Sequence, residues 1–315
     1  MQYRALGATG LQVSRLCFGA LTISPLQANL SLEEGARVIR AALDAGVNFI
    51  DTAELYNAYS YIREAIKGRR NDVIISSKSY AYTSQAMQAS LELALRELKR
   101  DYIDIFMLHE QESILTIRGH WEAIEYLLEA KRKGLVRAIG ISTHHVEGVL
   151  DAATVPEIEV IHPLINMSGI GIKGGNTQDM IEAIKKAYAA GKGLYGMKVL
   201  GGGHLLNQTE AALSFALSIP ELSSIAVGMS TVEEVAFNTY FFNGLPVPEE
   251  LQAAVRQQPR HLHIEDYCFG CGKCVSRCSS GALSLRDGKA VVEHKLCTRC
   301  GYCGAVCAEF CIKVI

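Results

Sequence analysis

Four residues have types and positions that could do chemistry together: Asp51, Tyr56, Lys78 and His109. Three of them close apolar, strand-like runs. Val47 to Ile50 runs into Asp51, Val73 to Ser77 into Lys78, and Ile103 to Leu108 into His109. A charge at the end of an apolar strand is costly to desolvate without a partner, so each position suggests a site. Singly, a strand-end lysine is usually solvated and a tyrosine usually packs. On successive strands that end at one edge, with Tyr56 on the loop above, they form the set that carbonyl reduction needs. A tyrosine hydroxyl, which ordinarily titrates near about 10, is a poor acid at neutrality. A neighbouring ammonium favours the tyrosinate and lowers that value, and a carboxylate can hold the ammonium in place. The histidine would hydrogen-bond the substrate oxygen and orient it.

The second constellation is made of cysteine. Cys17 stands alone in the first 267 residues, and the other nine cysteines fall between Cys268 and Cys311. Cys268, Cys271, Cys274 and Cys278 have spacing C-x₂-C-x₂-C-x₃-C, which recurs as Cys297, Cys300, Cys303 and Cys307. Such runs ligate [4Fe–4S] clusters, and in two-cluster ferredoxins the fourth cysteine of each run serves the other cluster. That rule pairs Cys268, Cys271 and Cys274 with Cys307, and Cys297, Cys300 and Cys303 with Cys278. A zinc ribbon would use C-x₂-C pairs and leave a third cysteine over in each run. Ser279 and Ala308 stand where such runs usually continue into proline. Cys311, equivalent to Ala282 in the repeat, reads as a small buried hydrophobe. So lopsided a distribution fits a reducing cytoplasm better than a secreted disulfide framework.

The elements that must position these groups follow from the rest of the 315 residues. A hairpin is expected over residues 1–15. Apolar strands follow near 16–20, 48–53, 73–79, 103–110, 136–143, 160–165, 194–200 and 223–229. Amphipathic helices lie between and after them, near 31–45, 57–68, 84–100, 119–133, 146–153, 177–190, 209–218 and 231–242. Eight strand–helix units with strands apolar on both faces predict a (β/α)₈ TIM barrel, whose active sites lie at the C-terminal ends of the strands. An open doubly wound sheet would carry a Gly-rich turn after its first strand, and Phe18-Gly-Ala-Leu21 has none. A Pro- and Gln-bearing stretch follows the eighth helix, so the expected division is a barrel at 1–248 and a ferredoxin-like α+β module at 249–315. A net charge of −2 gives no reason to expect nucleic acid or a membrane surface as partner. No apolar run has the length of a span, and the N-terminus lacks a signal-peptide pattern.

On these motifs the chain resembles the aldo-keto reductase superfamily. The resemblance is carried by Asp51-Thr-Ala-x-x-Tyr56, the strand ending in Lys78, Asp101-Tyr-Ile-Asp-Ile-Phe-Met-Leu-His109, Gly140-Ile-Ser142 and the opening Leu6-Gly-x-Thr-Gly-Leu-x-Val-Ser14. It spans roughly residues 1–240 and, with the cysteine repeat behind it, is similar to the branch that carries a C-terminal iron–sulfur domain. It implies that Tyr56 is the acid, that Asp51, Lys78 and His109 complete a tetrad, and that NAD(P)H lies over the barrel mouth.

The implied nucleotide contacts are Ser142 beside the carboxamide, His162 where the family has glutamine, and Met197 in place of a stacking aromatic ring. Lys198, Gly201 and Gly202 follow in the loop Gly196-Met-Lys-Val-Leu-Gly-Gly-Gly203, whose glycines could let backbone amides approach a pyrophosphate. The positions that would grip a 2′-phosphate are Gly228 and Glu234, with Asn238 on the same helix. A carboxylate there repels a phosphate and can accept hydrogen bonds from ribose hydroxyls, so NAD(H) is expected over NADP(H). A lysine or arginine reaching in from the second domain, such as Lys273 or Arg299, would defeat that expectation.

The expected function is reduction of a small carbonyl, or oxidation of an alcohol, with electrons from NAD(P)H, the two clusters or both. Nicotinamide moves hydride pairs and a cluster passes single electrons, so a flavin or a partner such as a ferredoxin could join the two. Two alternatives remain. His109, His144, His145, His162 and His204 all sit at or after strand ends and could ligate metal in a barrel hydrolase. The first strand, however, supplies neither a His-x-His pair nor a carboxylate. A ferredoxin-type electron carrier is the other alternative, and it leaves the tetrad without a purpose.

Overall fold

The computed structural model describes residues 1–69 and 72–315. Strands β1 (Tyr3–Ala5) and β2 (Gln12–Ser14) pair as an antiparallel hairpin. Its apolar residues Leu6, Leu11 and Val13 are buried in one cluster with Phe49, Ile74 and Tyr195, closing the N-terminal end of the barrel. The barrel strands are β3 (Leu16–Gly19), β4 (Phe49–Asp51), β5 (Ile74–Ser79) and β6 (Ile103–Leu108), then β7 (Val136–Thr143), β8 (Val160–Pro163), β9 (Gly193–Gly196) and β10 (Ser224–Gly228). They pair in parallel in that order, and β10 returns to β3, so the sheet has no free edge.

Helices α1 (Leu32–Asp44), α2 (Tyr59–Ala65), α3 (Ser84–Leu98), α4 (Ile114–Gly119) and α5 (Trp121–Arg132) cover the first half of the barrel. The second half carries α6 (Val146–Thr154), α7 (Thr177–Ala189), α8 (Thr209–Leu217) and α9 (Val232–Phe242). Local chemistry sets their ends. Ser31 and Glu34 form a capping box on α1. Gly46, at φ +89°, turns the chain from α1 towards β4 in a conformation that most side chains resist. Ile39, Ile62, Leu91, Leu127, Val149 and Ile184 are buried on helix faces turned to the sheet, each contributing about 1.5–3 kcal/mol by leaving water.

After the barrel, α10 (Glu249–Arg256) packs on α9, with Leu251 and Val255 against the main core. The chain then enters a module of two small sheets. β11 (Leu262–Ile264) pairs with β14 (Ile312–Val314), and β12 (Leu283–Arg286) pairs with β13 (Lys289–Val292). The short helices α11 (Lys273–Arg277) and α12 (Tyr302–Ala305) each begin within a cysteine run.

This module docks against the catalytic end of the barrel. Lys173 meets Glu309 at 3.0 Å, and His204 Nε2 lies 2.9 Å from the carbonyl of Ile312. Gly202 and Gly203, both at positive φ, face Phe310 and the Val314 carbonyl so closely that a Cβ on either would collide.

Candidate functional site

β4, β5 and β6 deliver Asp51, Lys78 and His109 to one end of the barrel, and all three are buried. The Lys78 ammonium donates to Asp51 Oδ1 at 2.7 Å, to Oδ2 at 2.8 Å and to the Thr52 carbonyl at 2.8 Å. A buried ion pair holds only when its charges are matched and their hydrogen bonds satisfied. Asp51 Oδ1 gains a further donor, the Tyr195 hydroxyl at 2.7 Å, which reaches it across the barrel interior from β9. Ser76 joins this network, with its Oγ 2.9 Å from the Tyr195 hydroxyl.

Tyr56 stands on the turn Glu54–Tyr56, above this pair. The Glu54 carboxylate fixes that turn by accepting from Ser79 Oγ at 2.7 Å and Ser90 Oγ at 2.8 Å. Lys78 Nζ lies 5.4 Å from the Tyr56 ring centroid, and the His109 ring lies edge-on to Tyr56 at 5.9 Å. Tyr80 stacks on the other side of His109 at 4.3 Å, and His109 Nδ1 is buried with no hydrogen-bond partner among the described residues. The four groups expected from the sequence are therefore brought together.

Their electrostatics differ from the expectation in one respect. Burial, and then Asp51, push the Tyr56 phenol well above its usual value of 10 rather than below it. The Lys78 charge is taken up by Asp51, so burial dominates. Tyr56 remains protonated and suited to give its proton to an oxygen that becomes alkoxide-like, a much stronger base than a phenolate. Burial, then the Lys78 charge, hold His109 well below 6.5, so its ring is a neutral donor.

Of the implied nucleotide contacts, all but Ser142 and Gly201 line the same mouth. Ser142 is buried and accepts the Glu110 N–H at 2.9 Å. His162 stacks on Tyr195 at 3.8 Å and donates through Nδ1 to the Tyr195 carbonyl at 2.6 Å, leaving Nε2 3.6 Å from Asp51 Oδ1. Met197, Lys198, Gly202, Gly228, Glu234 and Asn238 line a cavity of about 180 Å3 that also reaches Asp51 and Tyr56. Gly201 is buried beside Leu205 and Ile170. Asn238 Oδ1 is buried without a partner among the described residues, free to accept from a ligand.

Two of these positions have neighbours that the sequence did not reveal. The 202–203 glycine pair, read as room for a pyrophosphate, is the surface on which Phe310 and Val314 pack. Glu234 accepts from the Ser230 N–H and is ion-paired with Arg260, while Thr231 Oγ1 caps the Glu234 N–H. The carboxylate thus reaches back to Ser230 instead of closing a capping box on Thr231. Arg260 also lines an adjoining cavity of about 720 Å3, together with Arg256, Arg299 and Glu210. The carboxylate on which the NAD(H) expectation rests is therefore not isolated: it is paired with Arg260, and Arg299 lines the adjoining cavity.

In the second module, Cys268, Cys271, Cys274 and Cys307 line one small cavity, and Cys278, Cys297, Cys300 and Cys303 line another. These are the two sets expected from ligand exchange between the runs. The Cys311 N–H lies 3.3 Å from Cys307 Sγ, a donor of the kind that stabilises a cluster thiolate. Cys311 itself is buried at the edge of the first cavity. Tyr267, next to Cys268 in the chain, has its hydroxyl 3.5 Å from the carbonyl of Phe310, and Phe310, three residues after Cys307, lines the cavity at the barrel mouth.

Sequence reasoning missed Tyr195, Arg260, Phe310 and Lys313. A tyrosine within Gly193-Leu-Tyr-Gly196 needs a partner for its hydroxyl once buried, and that signal was available. Lys313 interrupts the apolar run Cys311-Ile-Lys-Val-Ile315 in the way that Lys78 ends its own strand.

A closed parallel barrel with a buried Asp–Lys pair and a tyrosine at its C-terminal end, joined to a module of paired cysteine cages, defines a class of iron–sulfur oxidoreductase. The Aldo/keto reductase family model matches residues 15–211, and a 4Fe-4S dicluster domain matches residues 261–308. The chain belongs to the aldo-keto reductase family and carries a C-terminal 4Fe–4S domain. It is 25% identical to the L-galactose dehydrogenase of Arabidopsis thaliana over 76% of this chain and 87% of that protein. An uncharacterized oxidoreductase of Bacillus subtilis, YqkF, is 25% identical over 84% of this chain and 99% of its own length. The solved aldo-keto reductase AKR11C1 from Bacillus halodurans superposes with a TM-score of 0.66 at 22% identity, covering 82% of this chain and 96% of that one. That last likeness concerns the fold.

Proposed function

We propose that this oxidoreductase interconverts a small carbonyl compound and its alcohol at the barrel mouth. Tyr56 is the proton donor to the carbonyl oxygen, His109 orients that oxygen through a neutral N–H, and Lys78 with Asp51 holds the polar floor beneath them. The observation that carries this reading is the doubly hydrogen-bonded Lys78–Asp51 pair under Tyr56, at 2.7 and 2.8 Å.

The eight cysteines of the two cavities would hold two [4Fe–4S] clusters, which supply one-electron transfer when bound. The run through Tyr267 and Phe310 supports delivery from the first cavity towards the mouth. A nicotinamide nucleotide is the other proposed source, with its adenosine end in the outer cavity. Glu234 alone favours NAD(H), but its pairing with Arg260, beside Arg256 and Arg299, offsets that bias. We therefore expect little discrimination against a 2′-phosphate. A flavin, or a ferredoxin-like partner, would couple hydride and single-electron steps.

The test is an anaerobic assay of the cluster-loaded chain on a panel of small aldehydes and ketones. NADH, NADPH or reduced ferredoxin serves as donor, beside the Tyr56→Phe variant. The variant should keep its fold and its clusters and lose turnover by about 10²-fold or more. Near-normal turnover in Tyr56→Phe sinks the assignment.

A further inference from the structure

Two lysines of the catalytic end, Lys198 from the loop after β9 and Lys313 from the iron–sulfur module, take no part in the Asp51–Lys78 network. Lys198 leaves β9 in the left-handed region at φ +57°, which turns its side chain back over the mouth. Its ammonium donates to His144 Nε2 at 2.8 Å and lies 4.9 Å from the centroid of Phe310. Lys313 arrives from β14 of the iron–sulfur module. It is buried, sits 3.2 Å from the centroid of the same Phe310 ring, and donates to the Phe310 carbonyl. Both line the cavity that reaches Asp51 and Tyr56.

Neither ammonium has a carboxylate within ion-pair distance among the described residues, although Glu110 and Glu265 act on them from further off. Glu110 instead approaches His144 at 3.5 Å, and Glu265 approaches His263 at 3.5 Å. A buried ammonium without a counter-ion is strongly disfavoured, and two around one ring are more so. Such an arrangement is stable only when an anion completes it or a proton leaves. Burial pushes Lys198 down to about 8 and, with the Lys198 charge, holds Lys313 well below its usual value.

We propose that Lys198 and Lys313, with Phe310 between them, form an oxyanion site for a carboxylate carried by the carbonyl substrate, so that the enzyme takes oxo acids in preference to neutral aldehydes and ketones. The proposal rests on the reading of the mouth as a carbonyl site and adds the substrate class. One lysine comes from each domain, so the iron–sulfur module contributes directly to specificity. Two other roles compete. The lysines could offset thiolate charge in the neighbouring cluster cage, or they could grip a nucleotide pyrophosphate.

Calorimetric titration of the full cluster-loaded chain separates these readings without relying on turnover. The probes are two matched pairs, pyruvate with butan-2-one and 4-acetylbenzoate with acetophenone, and inorganic pyrophosphate. The carboxylate of at least one pair should bind about tenfold or more tightly than its neutral partner, as charge-assisted hydrogen bonds require. Lys198→Met and Lys313→Met should each remove most of that preference, and Lys198→Arg should keep it. The visible spectrum of the clusters checks that each variant is intact. Equal affinities within both pairs in the native protein overturn the proposal. So does lysine-dependent binding confined to pyrophosphate, or a shift in cluster potential with the carboxylate preference intact. Lysine-dependent carboxylate binding without turnover of any carbonyl would uphold the oxyanion site and defeat the carbonyl reading alone.

Discussion

The hydroxyl of Tyr195 and the ammonium of Lys78 meet on one atom, Asp51 Oδ1, each at 2.7 Å. The carboxylate is thus held from two sides, from β9 across the barrel and from β5 beside it. Tyr195→Phe removes one donor to a buried charge and should cost about 1.5–3 kcal/mol. Lys78→Met leaves that charge uncompensated and should cost about 3–5 kcal/mol, and adding Asp51→Asn should recover part of the loss. Denaturant unfolding of the four proteins measures the series. A Lys78→Met variant as stable as the parent would show that the pair is not buried in solution.

The cages predict about eight irons and eight acid-labile sulfides per chain. Cys268→Ser and Cys307→Ser should damage the same cluster although they lie at opposite ends of the repeat, and Cys278→Ser should damage the other. Cys311→Ala keeps its backbone N–H on Cys307 Sγ and should leave the iron content unchanged. Electron paramagnetic resonance of the reduced variants distinguishes the two clusters, and loss of iron in Cys311→Ala would revise the ligand set.

His162 makes stability depend on pH. Burial lowers its pKa from 6.5 to about 4, so the unfolded chain takes up a proton that the folded chain refuses. The stability is full above the ordinary value and is lost as pH falls from about 6.5 towards 4. Buried His109, His144 and His204 are shifted in the same direction and add to the slope. His162→Gln should flatten its share of the acid limb in thermal unfolding between about pH 7 and 5. An unchanged slope would show that His162 is already charged in the fold.

Much of this was legible beforehand because the barrel repeats one pattern eight times, and three successive apolar strands announce their ends with a charged or polar group. Asp51, Lys78 and His109 are found in that way, and the two cysteine sets follow from spacing alone. What stayed hidden depends on contacts between distant segments. Nothing local says that Arg260 pairs with Glu234, or that Gly202 and Gly203 are bare because β14 lies on them. The direction of the Tyr56 shift was also out of reach. It turns on how completely the phenol is buried, and residue order carries no measure of that.

Gly203→Ala tests the docking of the two domains. The residue is held at φ +89°, and a methyl group would strike the Val314 carbonyl. The variant should lose more than about 1 kcal/mol, expressed as earlier release of the C-terminal module. Limited proteolysis across residues 256–262 reports that release, and native-like resistance would show that the strand adjusts without penalty.

Because Phe310, Lys313 and Val314 belong to the module yet line the mouth, the proposed substrate chamber would take one wall from a segment whose folding the clusters would support when bound. A chain that had not received its iron would possess an intact barrel with an unfinished room. Iron supply would then act on such an enzyme as quality control, keeping half-assembled copies from meeting substrate on the wrong terms.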